Sequence, residues 1–184
     1  MPIPFHDSED IREMGAAAFF HVEPPQDARN AWTGALFVIN ARGEPLEFAY
    51  NRVELLSGLL WRPGDRDPAA ARRLAASLFE EVTLEPRMLF CLAGSAAAEA
   101  VNGEGQFQIS IPVGRVGGAE GERVQTLDRE GHPVETSVAW PAPLPEGADK
   151  LFQRLAQRGL LLEPFHRAER GLREVYGAAP DEEA

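Results

Sequence analysis

Residues Ala35–Tyr50 contain two apolar segments separated by a turn, and this feature most constrains the fold of the chain. Leu36–Ile39 is a run of strand-forming residues, and Gly43 in the segment that follows can adopt the positive φ of a tight reversal. Alternate residues of Leu46–Tyr50 are apolar or aromatic, so they lie on one face of a second strand. The pattern predicts a β-hairpin within a larger sheet.

The chain of 184 residues is long enough for one domain with a substantial core, and its 44% hydrophobic and 26% charged residues are typical of a globular protein. It contains no apolar run of membrane-spanning length and no secretory signal at its start. The single cysteine, Cys91, lies in the apolar run Met88–Leu92, where we expect it to be buried. These features predict a cytoplasmic protein.

The formal net charge of the chain is −11. An acidic protein repels the phosphate backbone of a nucleic acid on average, unless its arginines gather on one face. Seventeen of the 18 basic residues are arginines, and they are scattered along the sequence. We therefore expect nucleic acid to be an unfavourable direct ligand, and a protein partner or a second copy of the chain to be the binding partner.

Several further segments carry strand or helix patterns. Residues 16–22 and 88–93 are predicted strands, and the apolar stripe of residues 68–82, preceded by Asp67, predicts an amphipathic helix that packs on the sheet. The segment 94–121 is rich in glycine and alanine, with one alternating stretch, Gln106–Ile111, that predicts a strand. Residues 124–127 and 134–140 predict a second hairpin.

The last third of the chain changes character, since two amphipathic patterns after the proline-rich connector predict a pair of helices. The sequence thus predicts an α+β fold with a mostly antiparallel sheet, one packed amphipathic helix and a C-terminal helical pair. We assign residues 1–145 to the sheet domain and residues 146–179 to the helical pair, packed on the sheet or extending from it. Residues 180–184 form a tail that we expect to be disordered.

The sequence lacks the common signatures of catalysis, since it contains no phosphate-binding loop, no H-E-x-x-H and no C-x-x-C. His21 and Glu23 are two residues apart on a predicted strand and therefore share a face. They could contribute to a metal site together with the acidic N-terminal segment, whose potential ligands are His6, Asp7, Glu9 and Asp10. Isolated histidines on strands are commonly structural, so we predict no metal, no cofactor and no catalytic residue.

Exposed apolar surface is the remaining functional feature of the sequence. The segment from Leu55 to Trp61 is unusually rich in leucine, and each of the three tryptophans lies beside a predicted turn or strand end. These side chains could cap the core or bind a protein. The residues assigned to partner binding are Leu55, Leu56, Leu59, Leu60, Trp61 and Trp140.

These observations lead to an expected function. The chain is expected to be a non-catalytic accessory or assembly subunit of a prokaryotic complex, acting through protein–protein contacts rather than as an enzyme. The first alternative is a sensor domain that binds a small ligand. The second is a metal-dependent hydrolase or nuclease, with a site assembled from His21, Glu23 and acidic residues distant in sequence.

Overall fold

A computed structural model of the protein describes residues 14–25, 31–56, 58–62, 64–102, 109–128 and 130–177. Within these residues the helices are α1 (Arg66–Glu81), α2 (Ala96–Asn102), α3 (Glu146–Gln157) and α4 (Glu163–Tyr176), and a 3₁₀ turn spans Gly58–Leu60. The strands are β1 (Ala16–Glu23), β2 (Ala31–Asn40), β3 (Pro45–Glu54), β4 (Met88–Leu92), β5 (Val113–Val116), β6 (Glu122–Leu127) and β7 (Pro133–Ala139).

The strands form one mixed sheet in the order β3-β2-β1-β4-β5-β7-β6. The β1–β4 and β4–β5 pairs are parallel, and the other pairs are antiparallel. This arrangement confirms the predicted α+β fold with a mostly antiparallel sheet. Because β1, β3, β4 and β5 run in the same direction, they all end on one side of the sheet, which we call the carboxyl side.

Helices cover both faces of the sheet, because both faces carry apolar side chains. On one face, here the α1 face, Leu74 and Leu78 of α1 belong to a core cluster with Phe20 and Leu36, and α2 contributes to the same cluster. On the other, the α4 face, helices α3 and α4 bury Leu155, Phe165 and Leu172 against Phe19, Phe37 and Ile39. The alternation of strand residues thus divides the core into two layers. The division of the chain at residue 145 stays a prediction.

The turn between β2 and β3 is held by one buried side chain. Asn40 has no exposed surface, and its Oδ1 accepts hydrogen bonds from the backbone N–H groups of Arg42 at 2.9 Å and Glu44 at 3.0 Å. Gly43 adopts a φ of +85°, as the turn requires. Arg167 of α4 donates a hydrogen bond to the Gly43 carbonyl oxygen at 2.9 Å, which ties the C-terminal helix to this hairpin.

Helix α1 begins two residues earlier than its sequence pattern predicts. The Asp67 carboxylate does not cap the helix but accepts a hydrogen bond from the Trp32 indole N–H at 2.8 Å. Arg66 lies over the Trp32 ring, with its Cζ atom 4.8 Å from the ring centroid. Both contacts come from Trp32 of β2, which precedes Arg66 by 34 residues and Asp67 by 35. Local capping rules take no account of such contacts.

The segment 94–121 differs most from the prediction. It contains helix α2 and strand β5, neither of which the glycine- and alanine-rich composition indicates. Residues 106–108 of the predicted strand Gln106–Ile111 lie outside the described residues, and residues 109–111 are not in a strand. Ile109 and Ile111 instead pack against the α1-face core. Their alternation therefore reflects burial and not pairing with a neighbouring strand. In the part of the chain that the structure describes, no helix has the length and apolar character needed to cross a bilayer.

Candidate functional site

Strand register places three rows of side chains on the α4 face, running across β1, β2 and β3. Residues of neighbouring strands that pair directly lie side by side, so each row is a set of adjacent side chains. The rows, from the middle of the sheet to its carboxyl side, are Phe19, Phe37 and Phe48; then His21, Ala35 and Tyr50; then Glu23, Thr33 and Arg52.

Helix α4 covers the first of these rows. The Arg167 guanidinium lies over the Phe37 ring, 4.9 Å from its centroid. Gly171 lies so close to the sheet that a Cβ at this position would be 2.6 Å from the Phe48 ring. The absence of a side chain therefore lets α4 approach the aromatic row closely.

Apart from Ala35, which has no exposed surface, the residues of the second and third rows are only partly covered. The side chains of His21 and Glu23 are 17% and 16% exposed, and that of Arg52 is 43% exposed. Tyr50 is 44% exposed and Thr33 is half-buried. These five residues form a polar surface that we call the β1–β3 patch. It lies where the apolar cover ends and the sheet meets solvent.

A histidine–carboxylate pair forms one end of the patch. The Nε2 atom of His21 lies 3.5 Å from Oε1 of Glu23, and this nitrogen is buried without a hydrogen-bond partner. The His21 ring also contacts the edge of Phe165, at a centroid separation of 6.5 Å. A carboxylate beside one imidazole nitrogen can orient the ring of a histidine that transfers a proton through its other nitrogen. The pair can therefore act as a general base.

The donor set of the site does not match a metal centre. Within the described ranges, no group of three or more histidine, cysteine, aspartate or glutamate residues could hold a metal ion. The acidic N-terminal segment, with His6, Asp7, Glu9 and Asp10, lies outside the described residues. Of the potential ligands that the sequence suggested, the structure describes His21 and Glu23.

Tyr50 forms the other end of the patch and is held by two aromatic neighbours. Its ring centroid lies 5.8 Å from that of Phe48 and 5.9 Å from that of Tyr176, which approaches edge-on from α4. Burial raises the pKa of Tyr176, and the neighbouring Tyr50 and Glu81 raise it further, while Arg52 opposes the shift. The cluster thus extends the pH range over which the Tyr176 hydroxyl is neutral.

This pKa shift predicts a pH dependence of stability. Above pH 10 the unfolded chain releases the Tyr176 proton, whereas the folded chain retains it until its raised pKa is passed. The free energy of unfolding should therefore fall as the pH rises through this range. Urea unfolding at pH 9 and pH 11 should show a smaller fall for Tyr176→Phe than for the wild type. Equal falls in both proteins would show that Tyr176 does not contribute.

The six residues assigned to partner binding occupy different environments. Leu56, Leu59 and Leu60 are 77%, 94% and 77% exposed, and they follow β3 on the carboxyl side of the sheet. Leu55 is buried and Trp61 is half-buried, both in the α1-face core. Trp140 packs between Phe90 and Phe152 on the α4 face. Only the three exposed leucines, which we call the leucine segment, offer a large accessible apolar surface.

Cys91 and Ser95 carry potentially nucleophilic groups, but both side chains have structural roles. Cys91 is fully buried, and burial raises the pKa of its thiol far above the physiological range, so the reactive thiolate does not form. The Ser95 hydroxyl donates to the Leu92 carbonyl oxygen at 2.6 Å and accepts from the Ala98 N–H at 3.2 Å. The hydroxyl therefore stabilises the β4–α2 turn.

A cavity of about 400 Å³ lies between β6 and the end of α3, lined by Val124–Leu127, Pro133 and Ala156–Gly159. It is open to solvent, and its lining contains no histidine, cysteine or carboxylate. It thus offers no group for proton transfer or nucleophilic attack. Of the surfaces described, the β1–β3 patch alone combines a proton-transfer pair with an exposed aromatic ring.

The sheet order and helical layers are similar to those of solved structures of endonuclease V. The chain is similar to Ciona intestinalis endonuclease V in complex with a 23mer DNA containing an inosine followed by a ribo-adenosine, with 12% identity and a TM-score of 0.54. The similarity covers 87% of this chain and 84% of that one. No protein-family model and no curated protein matches this sequence.

Two further solved structures show the same fold. Bacillus subtilis endonuclease V is 16% identical with a TM-score of 0.50, covering 88% of this chain and 81% of that one. The catalytic domain of human endonuclease V is 14% identical with a TM-score of 0.50, covering 88% and 84% of the two chains.

These similarities correct two expectations from the sequence. The expectation that the chain is a non-catalytic accessory or assembly subunit is wrong, because the solved structures with this fold named above are endonucleases. The expectation that nucleic acid is an unfavourable ligand is also wrong, because a structure with this fold is a DNA complex. Net charge averages over the whole surface, whereas binding depends on the groups in one region.

Sequence reasoning found His21 and Glu23 but missed Thr33, Tyr50 and Arg52. One signal in β3 could have located them. Phe48 is followed on the same face by Tyr50 and Arg52, so the face changes from apolar to polar along the strand. Such a change marks the point where the covering helix ends.

Proposed function

We propose that this protein binds nucleic acid and cleaves its phosphodiester backbone at the β1–β3 patch. The observation that carries the proposal is the His21–Glu23 pair, partly open to solvent at the carboxyl side of the sheet, on a fold shared with endonuclease V. The Ciona enzyme of that fold binds a DNA that contains an inosine followed by a ribo-adenosine.

The chemistry that the pair supports is general base catalysis. The imidazole of His21 takes a proton from a water molecule, whose oxygen forms a bond to phosphorus as one phosphorus–oxygen ester bond breaks. The leaving oxygen is protonated from solvent. Glu23, 3.5 Å from the ring nitrogen, stabilises the imidazolium that forms in this step.

The leucine segment is the proposed nucleic-acid contact outside the patch. It begins on the same side of the sheet as Glu23, and Arg62, two residues after Leu60, has an exposed side chain. Exposed apolar side chains can insert between bases, and arginine can contact phosphates, so the segment suits a nucleic acid despite the net charge of −11.

Loss of the general base His21 should abolish most of the cleavage. With labelled DNA and RNA oligonucleotides, we expect His21→Gln to reduce the cleavage rate about 10²- to 10⁴-fold, because the general base is removed. Binding of the oligonucleotides should stay within about threefold, since His21 acts on the reacting atoms. Glu23→Gln should reduce the rate less, because it removes only the stabilisation of the imidazolium.

The matched control is His132→Gln, which changes an exposed histidine in the β6–β7 turn, with 69% of its side chain accessible. This variant should cleave at the wild-type rate. If the wild type neither binds nor cleaves any oligonucleotide, the proposed function is wrong. If the wild type cleaves and His21→Gln cleaves equally well, the assignment of His21 as the general base is wrong.

We also propose a cytoplasmic location for the protein. The single cysteine supports this proposal, because Cys91 is buried and the chain does not depend on an internal disulfide. Fractionation of the source cells should place the protein with cytoplasmic markers, and recovery with secreted or envelope proteins would refute it.

A further inference from the structure

We propose that Tyr50 is a base-stacking residue through which the β1–β3 patch accepts single-stranded rather than paired nucleic acid. This inference rests on the proposed function, since it assigns a substrate class to the same site. It adds a binding residue that contacts a base, separate from the His21–Glu23 pair that acts on phosphorus.

Strand register places Tyr50 and His21 in the same row. Ala35 lies between them on β2 and has no exposed surface. With adjacent strands about 4.8 Å apart, the backbones at Tyr50 and His21 are separated by about 10 Å. A base on the Tyr50 ring would therefore lie about two strands away from His21, on the same face of the sheet.

The surroundings of Tyr50 hold its ring while leaving it accessible. Phe48 and Tyr176 contact it at centroid separations of 5.8 and 5.9 Å, yet the residue is 44% exposed. A ring whose orientation is already restricted loses little conformational freedom when a base stacks on it. Stacking on an aromatic side chain is a general mode of binding single strands, because every base has a π-face.

The polar neighbours of the ring match the edges of a base better than a row of phosphates. Thr33 and Arg52 supply donors in the adjacent row, and Glu23 supplies an acceptor. Arg52 also lies 3.3 Å from Glu54, so its charge is partly balanced within the protein. Since few phosphates would be neutralised here, the affinity should depend weakly on salt.

Paired strands do not fit this arrangement. In a duplex both faces of a base are stacked on its neighbours, so a fixed surface ring can reach a base only after the base has left the stack. Unpaired bases in single strands, loops and bulges are free to stack on aromatic side chains. The geometry therefore favours an unpaired nucleotide at Tyr50.

The test measures the dissociation constants of a fluorescent single-stranded 12-mer and of the duplex with the same sequence. We expect the wild type to bind the single strand more tightly, and Tyr50→Ala to weaken that binding about 5- to 150-fold. Tyr50→Phe keeps the ring and should bind within about twofold of the wild type. Raising the salt from 50 to 200 mM should weaken wild-type binding less than about tenfold, because few phosphate contacts are lost.

Two controls separate stacking from folding. Val175→Ala removes an exposed apolar side chain, 43% accessible, from the neighbouring end of α4 and should leave binding unchanged. If Tyr50→Ala fails to fold, Tyr50→Leu keeps an apolar cover over Phe48 and removes only the aromatic ring. Thermal melting verifies that each variant is folded.

The outcomes distinguish this inference from the proposed function. Tighter binding of the duplex, or unchanged binding by Tyr50→Ala or Tyr50→Leu, would overturn the role of Tyr50 while His21-dependent cleavage stands. Absence of any binding and cleavage by the wild type would overturn both. A loss of affinity shared equally by Tyr50→Phe and Tyr50→Ala would show that the hydroxyl, and not stacking, provides the contact.

Discussion

Replacing Phe19 by alanine should destabilise the protein by about 3 to 5 kcal/mol, the range for an aromatic side chain removed from a packed core. Phe19 has no exposed surface and lies at the centre of the α4 face. Its ring stacks on Phe90 at 5.0 Å and meets the edge of Phe165 at 5.2 Å. The substitution therefore leaves a cavity between the sheet and α4 and removes two ring contacts.

Urea unfolding followed by circular dichroism measures this loss. Phe19→Leu is the matched control, since it keeps most of the apolar volume and should cost less than about 1.5 kcal/mol. Phe20→Ala offers a comparison on the opposite face, because Phe20 is equally buried but packs in the α1-face core. A loss below about 1 kcal/mol for Phe19→Ala would contradict the central position of this ring.

Replacing Gly121 by alanine should cost about 3 to 5 kcal/mol, because backbone strain and a direct clash add together. Gly121 adopts a φ of +112°, which side-chain-bearing residues rarely occupy. A Cβ there would overlap the Val138 carbonyl oxygen and lie 2.6 Å from the Ala139 nitrogen. Since these are backbone atoms of β7, the contact can be relieved only by moving β6 away from its partner strand.

The control for this prediction is Gly131→Ala in the same hairpin. Gly131 adopts a φ of +85°, but a Cβ there would meet nothing within 4 Å. This variant should therefore show only the backbone strain, about 1 to 2 kcal/mol. Thermal or urea unfolding of the two variants separates the contributions, and equal losses would show that the clash with β7 is absent.

Elements with strong local patterns could be predicted from the sequence. The β2–β3 hairpin and the last two helices have the expected periodicities, and each lies within a few residues of its predicted position. Strand β5 has four residues and helix α2 has seven, so neither is long enough to show a periodic pattern in the sequence. Their formation depends on packing, of β5 against β4 and of α2 against α1.

The candidate site was only partly accessible to sequence reasoning. The spacing of His21 and Glu23 shows that they share a face of one strand, which the structure places against α4. The leucine segment was recognised as apolar, yet its neighbour Leu55 is buried while Leu59 is almost fully exposed. Both residues have the same side chain, so only the path of the chain distinguishes them.

The sequence by itself determined the alternation that divides each central strand between two faces, and with it the α+β class. It also determined that His21 and Glu23 are neighbours, because a strand repeats every two residues. Only the tertiary structure decided that Tyr50 lies in the same row as His21, 29 positions apart, since that depends on the register of β2 against both neighbours. Register is set by the sum of many cross-strand contacts and by the turn between strands, and no short segment contains that information.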